Sequence, residues 1–168
     1  MKVSFKLNGS PVSIDTPVNI TLLSLLREKF GLIGTKIGCE VGECGACSVL
    51  IDGKVVNSCM LLAPQINGRS VTTIEGIHDS NGGPNDLQRS LVENGAVQCG
   101  YCTPGMVMAG EALLAETLSP TENEIRNAIA GNLCRCTGYQ QIVEAVETTA
   151  TLRRKKLAAQ PASLEGIR

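Results

Sequence analysis

Eight cysteines, in two groups of four, are the residues of this chain whose type and spacing could do chemistry. Cys39, Cys44 and Cys47 form a C-x4-C-x2-C run, and Cys59 follows after eleven intervening residues. That triplet is the spacing of plant-type [2Fe-2S] sites, in which thiolates hold iron. Zinc is the competing reading, because C-x2-C is a common zinc half-site. The C-x4-C-x2-C triplet argues against it. Gly38, Gly42 and Gly45 leave room round a compact cluster and allow φ > 0 where needed, so backbone N–H groups can aim at sulfur. Cys59 would close the site from just past a strand.

The second group is Cys99 and Cys102 (C-x2-C), then Cys134 and Cys136 (C-x1-C), with 31 residues between the pairs. Two antiparallel helices can span that gap and bring both pairs to one end of a bundle. C-x1-C is too tight for the usual zinc-ribbon knuckle. On spacing alone a second [2Fe-2S] centre fits best, with zinc or a redox dithiol at Cys99 and Cys102 as alternatives.

The elements that must position these groups differ between the two halves. Val3, Phe5 and Leu7 alternate, Asn8-Gly9 supplies a turn, and Val12 and Ile14 alternate again, which predicts a β-hairpin. Thr21 to Lys29 carries Leu22, Leu25, Leu26 and Phe30 at helical spacing, with Gly31 as the stop. A second hairpin is expected at Ser48–Ile51 and Lys54–Asn57 round Asp52-Gly53, and a last strand at Ser70–Ile74. Together these make a small mixed sheet crossed by one helix.

GIHDSNGGP, from Gly76 to Pro84, is rich in turn formers and marks a linker. Beyond it the pattern predicts four helices: Asp86–Asn94, Pro104–Leu118, Pro120–Ala130 and Tyr139 to about Arg154. Thr103 is expected to cap the second of these, and Ser119-Pro120-Thr121-Glu122 has capping-box spacing for the third. The fold class is therefore α+β. The expected division is a sheet domain over 1–76, a linker over 77–84, a four-helix domain over 85–155 and a tail over 156–168.

The 168 residues carry a net charge of -1, with 43% hydrophobic and 18% charged, so the chain is globular and nothing points to nucleic acid. No run approaches the roughly 20 apolar residues of a membrane span, and the amino terminus lacks a secretory h-region. A cytoplasmic protein is expected, where eight cysteines are better read as metal ligands than as disulfides. With four aromatic residues and no Trp, neither half has a bulky core, so bound metal should contribute to folding.

Three segments occur in order: Gly38-Cys39-Glu40-Val41-Gly42-Glu43-Cys44-Gly45-Ala46-Cys47, Gln98-Cys99-Gly100-Tyr101-Cys102-Thr103-Pro104-Gly105, and Gly131-Asn132-Leu133-Cys134-Arg135-Cys136-Thr137-Gly138-Tyr139. With them the chain closely resembles, from about Val3 to Val146, the small iron-sulfur subunit of the molybdenum hydroxylases. That family includes xanthine oxidase, carbon monoxide dehydrogenase and quinoline 2-oxidoreductase. The resemblance implies a ferredoxin-like β-grasp domain followed by an all-helical domain, each with one [2Fe-2S] cluster. It implies a large partner subunit with molybdopterin cytosine dinucleotide and a medium one with FAD, assembled as a dimer of heterotrimers. Electrons would pass from molybdenum through the helical-domain cluster and the β-grasp cluster to FAD. By the family pattern Gln98 and Cys136 lie beside the pterin. The substrate implied is an N-heteroaromatic such as quinoline, with carbon monoxide, aldehydes or purines as alternatives. The chain itself carries no catalytic residue.

Other residues have plainer readings. His78, the only histidine, is expected on the surface; Met106 and Met108 in the core; Tyr101 and Tyr139 as shields of the second site; Glu40 and Glu43 as exposed loop charge. Arg153-Arg154-Lys155-Lys156 reads as a solvated helix end favoured by the dipole, with a grip on a partner subunit as the alternative.

Overall fold

The computed structural model describes residues 1–159. β1 (Lys2–Leu7) and β2 (Ser10–Asp15) form an antiparallel hairpin in which Lys2 faces Asp15 and Leu7 faces Ser10. Its turn residues Asn8 and Gly9 have φ of 50° and 83°, which only a left-handed turn requires. Alternation in β1 sends Val3, Phe5 and Leu7 inward. β3 (Ser48–Ile51) and β4 (Lys54–Asn57) repeat the design round Asp52 and Gly53, at φ of 51° and 82°. β5 (Ser70–Thr72) lies between the hairpins, parallel to β1 and antiparallel to β3, giving the order β2-β1-β5-β3-β4.

The last strand is shorter than the pattern predicts. The Asn8 side chain accepts the N–H of Thr73 at 2.8 Å, which takes that group out of the ladder, and Ile74–Gly76 turns into a 3-10 segment. The expected first helix also differs. Thr21 caps it, its hydroxyl accepting the Ser24 N–H at 3.1 Å, but after α1 (Leu22–Ser24) the chain widens into a π turn over Leu25–Lys29. The Phe30 N–H closes that turn on the Leu25 carbonyl. Leu22, Leu25 and Leu26 bury against Val3, Phe5, Val49 and Val71. Leu23 instead faces Cys47 and Cys59. Each such leucine contributes roughly 1.5–3 kcal/mol by leaving water.

The helical half contains α2 (Asp86–Glu93), α3 (Thr103–Glu116), α4 (Glu122–Ile129) and α5 (Gln140–Ala159). Leu87, Leu91, Met106, Ile125, Ile129 and Ile142 are the bulk of its core. Met106 and Met108 are both buried, as expected. Neither predicted cap of α3 or α4 is as expected. α3 already includes Thr103 and starts from Cys102, whose φ/ψ are helical, with no side-chain cap bond. α4 is capped by Thr121, whose hydroxyl accepts the Glu124 N–H while the Glu124 carboxylate accepts the Thr121 N–H; the box is therefore Thr121 with Glu124, not Ser119 with Glu122.

Residues 77–84 contain no helix or strand and are held by side chains. Asp79 accepts the N–H groups of Asn81 and Gly83, both at 2.9 Å, and pairs with Arg89 at 3.1 Å. His78 is exposed there, as expected. α5 runs through the expected boundary at 155 to Ala159, while the rest of the expected tail, 160–168, lies outside the described residues. The basic run is not simply solvated. Arg153 Nη2 lies 2.6 Å from Asp86 and 2.7 Å from Glu111, so its guanidinium ties α5 to α2 and α3. A five-stranded mixed sheet crossed by a helix, followed by an all-α four-helix unit, is the β-grasp-plus-bundle architecture.

Candidate functional site

The first cysteine loop leaves the π turn at Gly31 and returns to the sheet at β3. Within it the Cys39 sulfur accepts N–H groups from Val41 at 3.5 Å and from Glu43 and Cys44 at 3.3 Å, and the Cys39 N–H donates to the Cys44 sulfur at 3.3 Å. These bonds, Val41 first, draw the Cys39 thiol down to about 7. Gly42 takes φ of 81°, as its place in such a loop requires. Gly38 has a different reason for its identity: a Cβ there would lie 2.5 Å from the Cys44 sulfur. Glu40, at φ of 56°, is a left-handed residue that composition did not suggest. Glu40 and Glu43 are both exposed.

Cys47 and Cys59 lie beneath this loop, buried against Leu23. Cys47 sits just before β3, and Cys59 in the 3-10 turn Ser58–Met60 that follows β4. The Ser58 N–H donates to the Cys47 carbonyl at 3.2 Å, so the two positions face each other across the hairpin base. Burial and the adjoining Cys47 thiol push the Cys59 thiol up to about 11. Asn57 braces the loop from β4, donating to the Gly42 carbonyl at 2.8 Å.

Cys99 and Cys102 lead into α3, and Cys134 and Cys136 lie in the turn between α4 and α5. The Cys136 and Cys99 sulfurs are 3.7 Å apart, and Cys102 adjoins Cys134. Burial and then the Cys134 thiol push Cys102 up to about 12. Burial also pushes the Cys134 thiol up, but the Thr137 hydroxyl at 3.2 Å and nearby N–H groups outweigh it and hold the thiol below its ordinary value. Gln98 donates to the Cys136 carbonyl at 3.2 Å, so these two exposed residues meet at the outer rim.

Tyr101 and Tyr139 do not merely shield the second group. The Tyr101 hydroxyl donates to the Ile37 carbonyl, crossing from the second loop to the first, and the residue is 50% exposed. Tyr139, at φ of 72°, turns back so that its hydroxyl accepts the Cys134 N–H at 2.8 Å. A cavity of about 290 Å³ is lined by Cys39 and Cys44 from one group and by Cys99, Cys102, Cys134 and Cys136 from the other. The two sites thus open on the same space.

All eight cysteines are free thiols. Their contacts fall into four pairs: Cys39 with Cys44, Cys47 with Cys59, Cys99 with Cys136, and Cys102 with Cys134. Two thiolates on one tetrahedral metal, at bonds of about 2.3 Å, lie about 3.8 Å apart. The 3.7 Å of Cys99 and Cys136 fits that edge. Among the described residues no three His, Cys, Asp or Glu converge as a single metal ion needs.

Comparison with known proteins agrees with this geometry. Residues 5–70 match the family described as 2Fe-2S iron-sulfur cluster binding domain, and residues 73–147 the one described as [2Fe-2S] binding domain. The nicotinate dehydrogenase small FeS subunit of Eubacterium barkeri is 50% identical over 144 residues, covering 86% of this chain and 91% of that protein. Quinoline 2-oxidoreductase from Pseudomonas putida 86 has a chain that superposes with a TM-score of 0.87 at 43% identity, covering 92% of this chain and 96% of that one. The aldehyde oxidoreductase from Desulfovibrio desulfuricans ATCC 27774 gives 0.88 at 37% identity, covering 92% of this chain but 17% of that one. A two-domain protein with a [2Fe-2S] site in each domain is the class that fold and site define. The chain belongs to the small iron-sulfur subunits of the molybdenum hydroxylase family, as electron-transfer components of oxidoreductases.

No histidine takes part in either site. Asn57, Asn132, Thr137 and Tyr139 shape the loops but carry no ligand-type spacing; the sequence places Tyr139 beside the second site, and the bonds that all four make emerge only from the tertiary contacts. No described helix is long and apolar enough to cross a membrane.

Proposed function

We propose that Cys39, Cys44, Cys47 and Cys59 hold one [2Fe-2S] cluster and Cys99, Cys102, Cys134 and Cys136 the other. The observation that carries this reading is the gathering of eight free thiols into two groups of four, one on each loop system, with the Cys99 and Cys136 sulfurs 3.7 Å apart. Each cluster, when bound, supplies reversible one-electron exchange. The chain's own contribution is to direct N–H groups at sulfur in the first loop, to exclude water round Cys47 and Cys59, and to keep the two sites on a common cavity. The domain limits follow the same division: 1–76 for the β-grasp unit, 77–84 for the connection and 85–155 for the helical unit.

The complex consists, in this reading, of a large subunit with molybdopterin cytosine dinucleotide, a medium subunit with FAD and this chain between them, as a dimer of heterotrimers in the cytoplasm. The rim where Gln98 meets Cys136 faces the pterin, and the first loop faces the flavin subunit. Electrons then enter at the helical half and leave from the β-grasp half. The exposed position of Gln98 and Cys136 supports this orientation.

The substrate proposed is an N-heteroaromatic ring. The support is that nicotinate and quinoline, named in the relatives, are both of that class. The purified complex, assayed with nicotinate, quinoline, xanthine and an aldehyde, should turn over nicotinate or quinoline fastest, and preference for xanthine would move it to the purine-oxidising branch. Preference for the aldehyde would move the complex to another branch.

Iron and sulfide analysis of the complex should find four irons per copy of this chain and two distinct EPR signals on reduction. About two zinc ions and no EPR signal would establish a zinc-stapled module instead. Cys44→Ser and Cys102→Ser should each abolish one signal.

A further inference from the structure

Between the two cysteine loops lies a buried polar joint. Asn132 is only 4% exposed, yet it sits two residues before Cys134 in a turn of small and polar residues. Its Nδ2 donates to the Gly45 carbonyl at 2.9 Å and to the Ser48 hydroxyl at 3.1 Å. Ser48 in turn donates to the same Gly45 carbonyl at 2.7 Å. One residue on, the Leu133 N–H donates to the carbonyl of Cys44 at 2.9 Å. A residue adjoining Cys134 is thereby bonded directly to the backbone of Cys44.

The joint is also tightly packed. A Cβ on Gly105, in α3, would lie 2.5 Å from the Gly45 carbonyl oxygen and 2.6 Å from Asn132 Nδ2. A Cβ on Gly45 would lie 2.3 Å from the Gly131 carbonyl oxygen. The two backbones touch only because these positions lack side chains. Buried polar networks of this kind are costly unless every member is paired, and when paired they specify one arrangement.

We propose that Asn132 is a positioning residue of the electron relay: it fixes the separation of the two cysteine groups by tying Gly45 and Ser48 of one loop to the turn that carries Cys134. This rests on the reading that each group holds a [2Fe-2S] cluster. One electron leaves the reduced centre and enters the oxidised one, no bond is made or broken, and no proton moves. The rate of such a transfer falls steeply as the gap between the centres widens, so Asn132 acts through the separation it holds and not through any group it offers to iron.

The test uses the intact complex carrying Asn132→Leu, which keeps side-chain bulk and removes the donor. Gly45 retains its bonds from the Ser48 N–H and hydroxyl, so its carbonyl is not orphaned. Two further variants act from other sides: Ser48→Ala removes a partner of the Asn132 amide, and Gly105→Ala inserts a methyl group into the joint. Three measurements are made: irons per chain, the magnetic splitting between the two centres after full reduction with dithionite, and the rate of electron equilibration between them after flash reduction.

The expected result is four irons, unchanged individual g-values, an altered splitting and equilibration measurably slower than in the unsubstituted complex. Unchanged splitting and rate with four irons would overturn the proposal. So would loss of iron in all three variants, which would make Asn132 a retention residue. Should Asn132→Leu alone fail to assemble, the other two decide by the same readouts. Fewer than four irons in the unsubstituted complex is a separate failure, that of the cluster reading itself.

Discussion

The hydroxyl of Tyr139 accepts the N–H of Cys134 at 2.8 Å and lies 3.3 Å from the carbonyl of Asn132, to which it can donate. One phenol therefore satisfies both ends of the turn that holds half of the second cysteine group. Tyr139→Phe removes both bonds and leaves a half-buried N–H without its acceptor, at a cost of about 1–3 kcal/mol. The EPR signal of the helical-domain centre should broaden, and its iron should be lost faster to a chelator. The other signal should not change; equal loss at both centres would contradict this.

Asn57 plays the corresponding part for the first loop, through its bond to the Gly42 carbonyl. Asn57→Ala removes the one bond to the Gly42 carbonyl and leaves the stretch from Val41 to Glu43 held mainly by its own N–H groups to the Cys39 sulfur. Iron release from the first centre should accelerate while the second is unaffected. Measured together, Tyr139→Phe and Asn57→Ala should separate the two centres kinetically.

Thiol reactivity supplies a pH-dependent check. N–H groups from Val41, Cys44 and Glu43 hold the Cys39 thiol at about 7, whereas burial and neighbouring thiols raise Cys59 to about 11 and Cys102 to about 12. The thiolate is the nucleophile, so Cys39 is roughly half reactive at pH 7 and the other two barely so. In the chain stripped of iron, iodoacetamide should label Cys39 first, at a rate that climbs through pH 7. Cys59 and Cys102 should label last. Uniform labelling of all eight, read by peptide mass spectrometry, would mean that the loop does not persist without metal.

Arg153 holds the far end of the bundle. Its removal leaves Glu111, at 14% side-chain exposure, without a cation and Asp86, at 18%, with only Lys156, 3.9 Å away. Arg153→Met should destabilise the helical unit by about 2–3 kcal/mol, less than a fully buried pair because water still reaches the group. Asp86→Asn with Glu111→Gln in the same chain should recover much of this. Burial raises the Asp86 carboxyl, but Arg153, aided by Lys156, outweighs it and holds the group below the usual range. A depressed carboxylate contributes stability above its unfolded value, about 3.9, and loses it as pH falls through the folded one. The gap between the wild-type protein and Arg153→Met in urea denaturation should thus be flat from pH 7 to 5 and narrow below about pH 4.

Local signals determined the order of the elements and the chemistry of the first cysteine group. Hairpin turns at Asn8-Gly9 and Asp52-Gly53 are legible because few other residues accept φ > 0 in succession, and both hairpins stand where the pattern puts them. The C-x4-C-x2-C run names its own chemistry because thiolate spacing along a chain constrains what the loop can wrap. Boundaries were less legible. The strand at Ser70 stops early because a side chain 65 positions away takes the Thr73 N–H, and no local pattern records that. The helix at Leu22 widens into a π turn where Leu23 and Leu25 must bury in different directions. The cap of α4 moved by two residues because two overlapping boxes compete there and the structure chooses the one with Glu at the right reach.

What only the tertiary structure decided is which thiols touch, and what joins the two groups. Cys99 and Cys136 are 37 positions apart and Cys102 and Cys134 are 32, and spacing alone left both zinc and a dithiol open. Folding α3 and α4 back to back brings those sulfurs into pairs, which is the arrangement a two-iron cluster needs. Asn132 stands in the third motif segment, but its role is not legible there for the same reason: a lone polar residue beside a cysteine has no period or spacing. Its meaning comes from burial against Gly45 and Ser48, 87 and 84 residues earlier in the chain. Long-range contacts of this kind are set by how two domains pack, and packing is not written in any local run of residues.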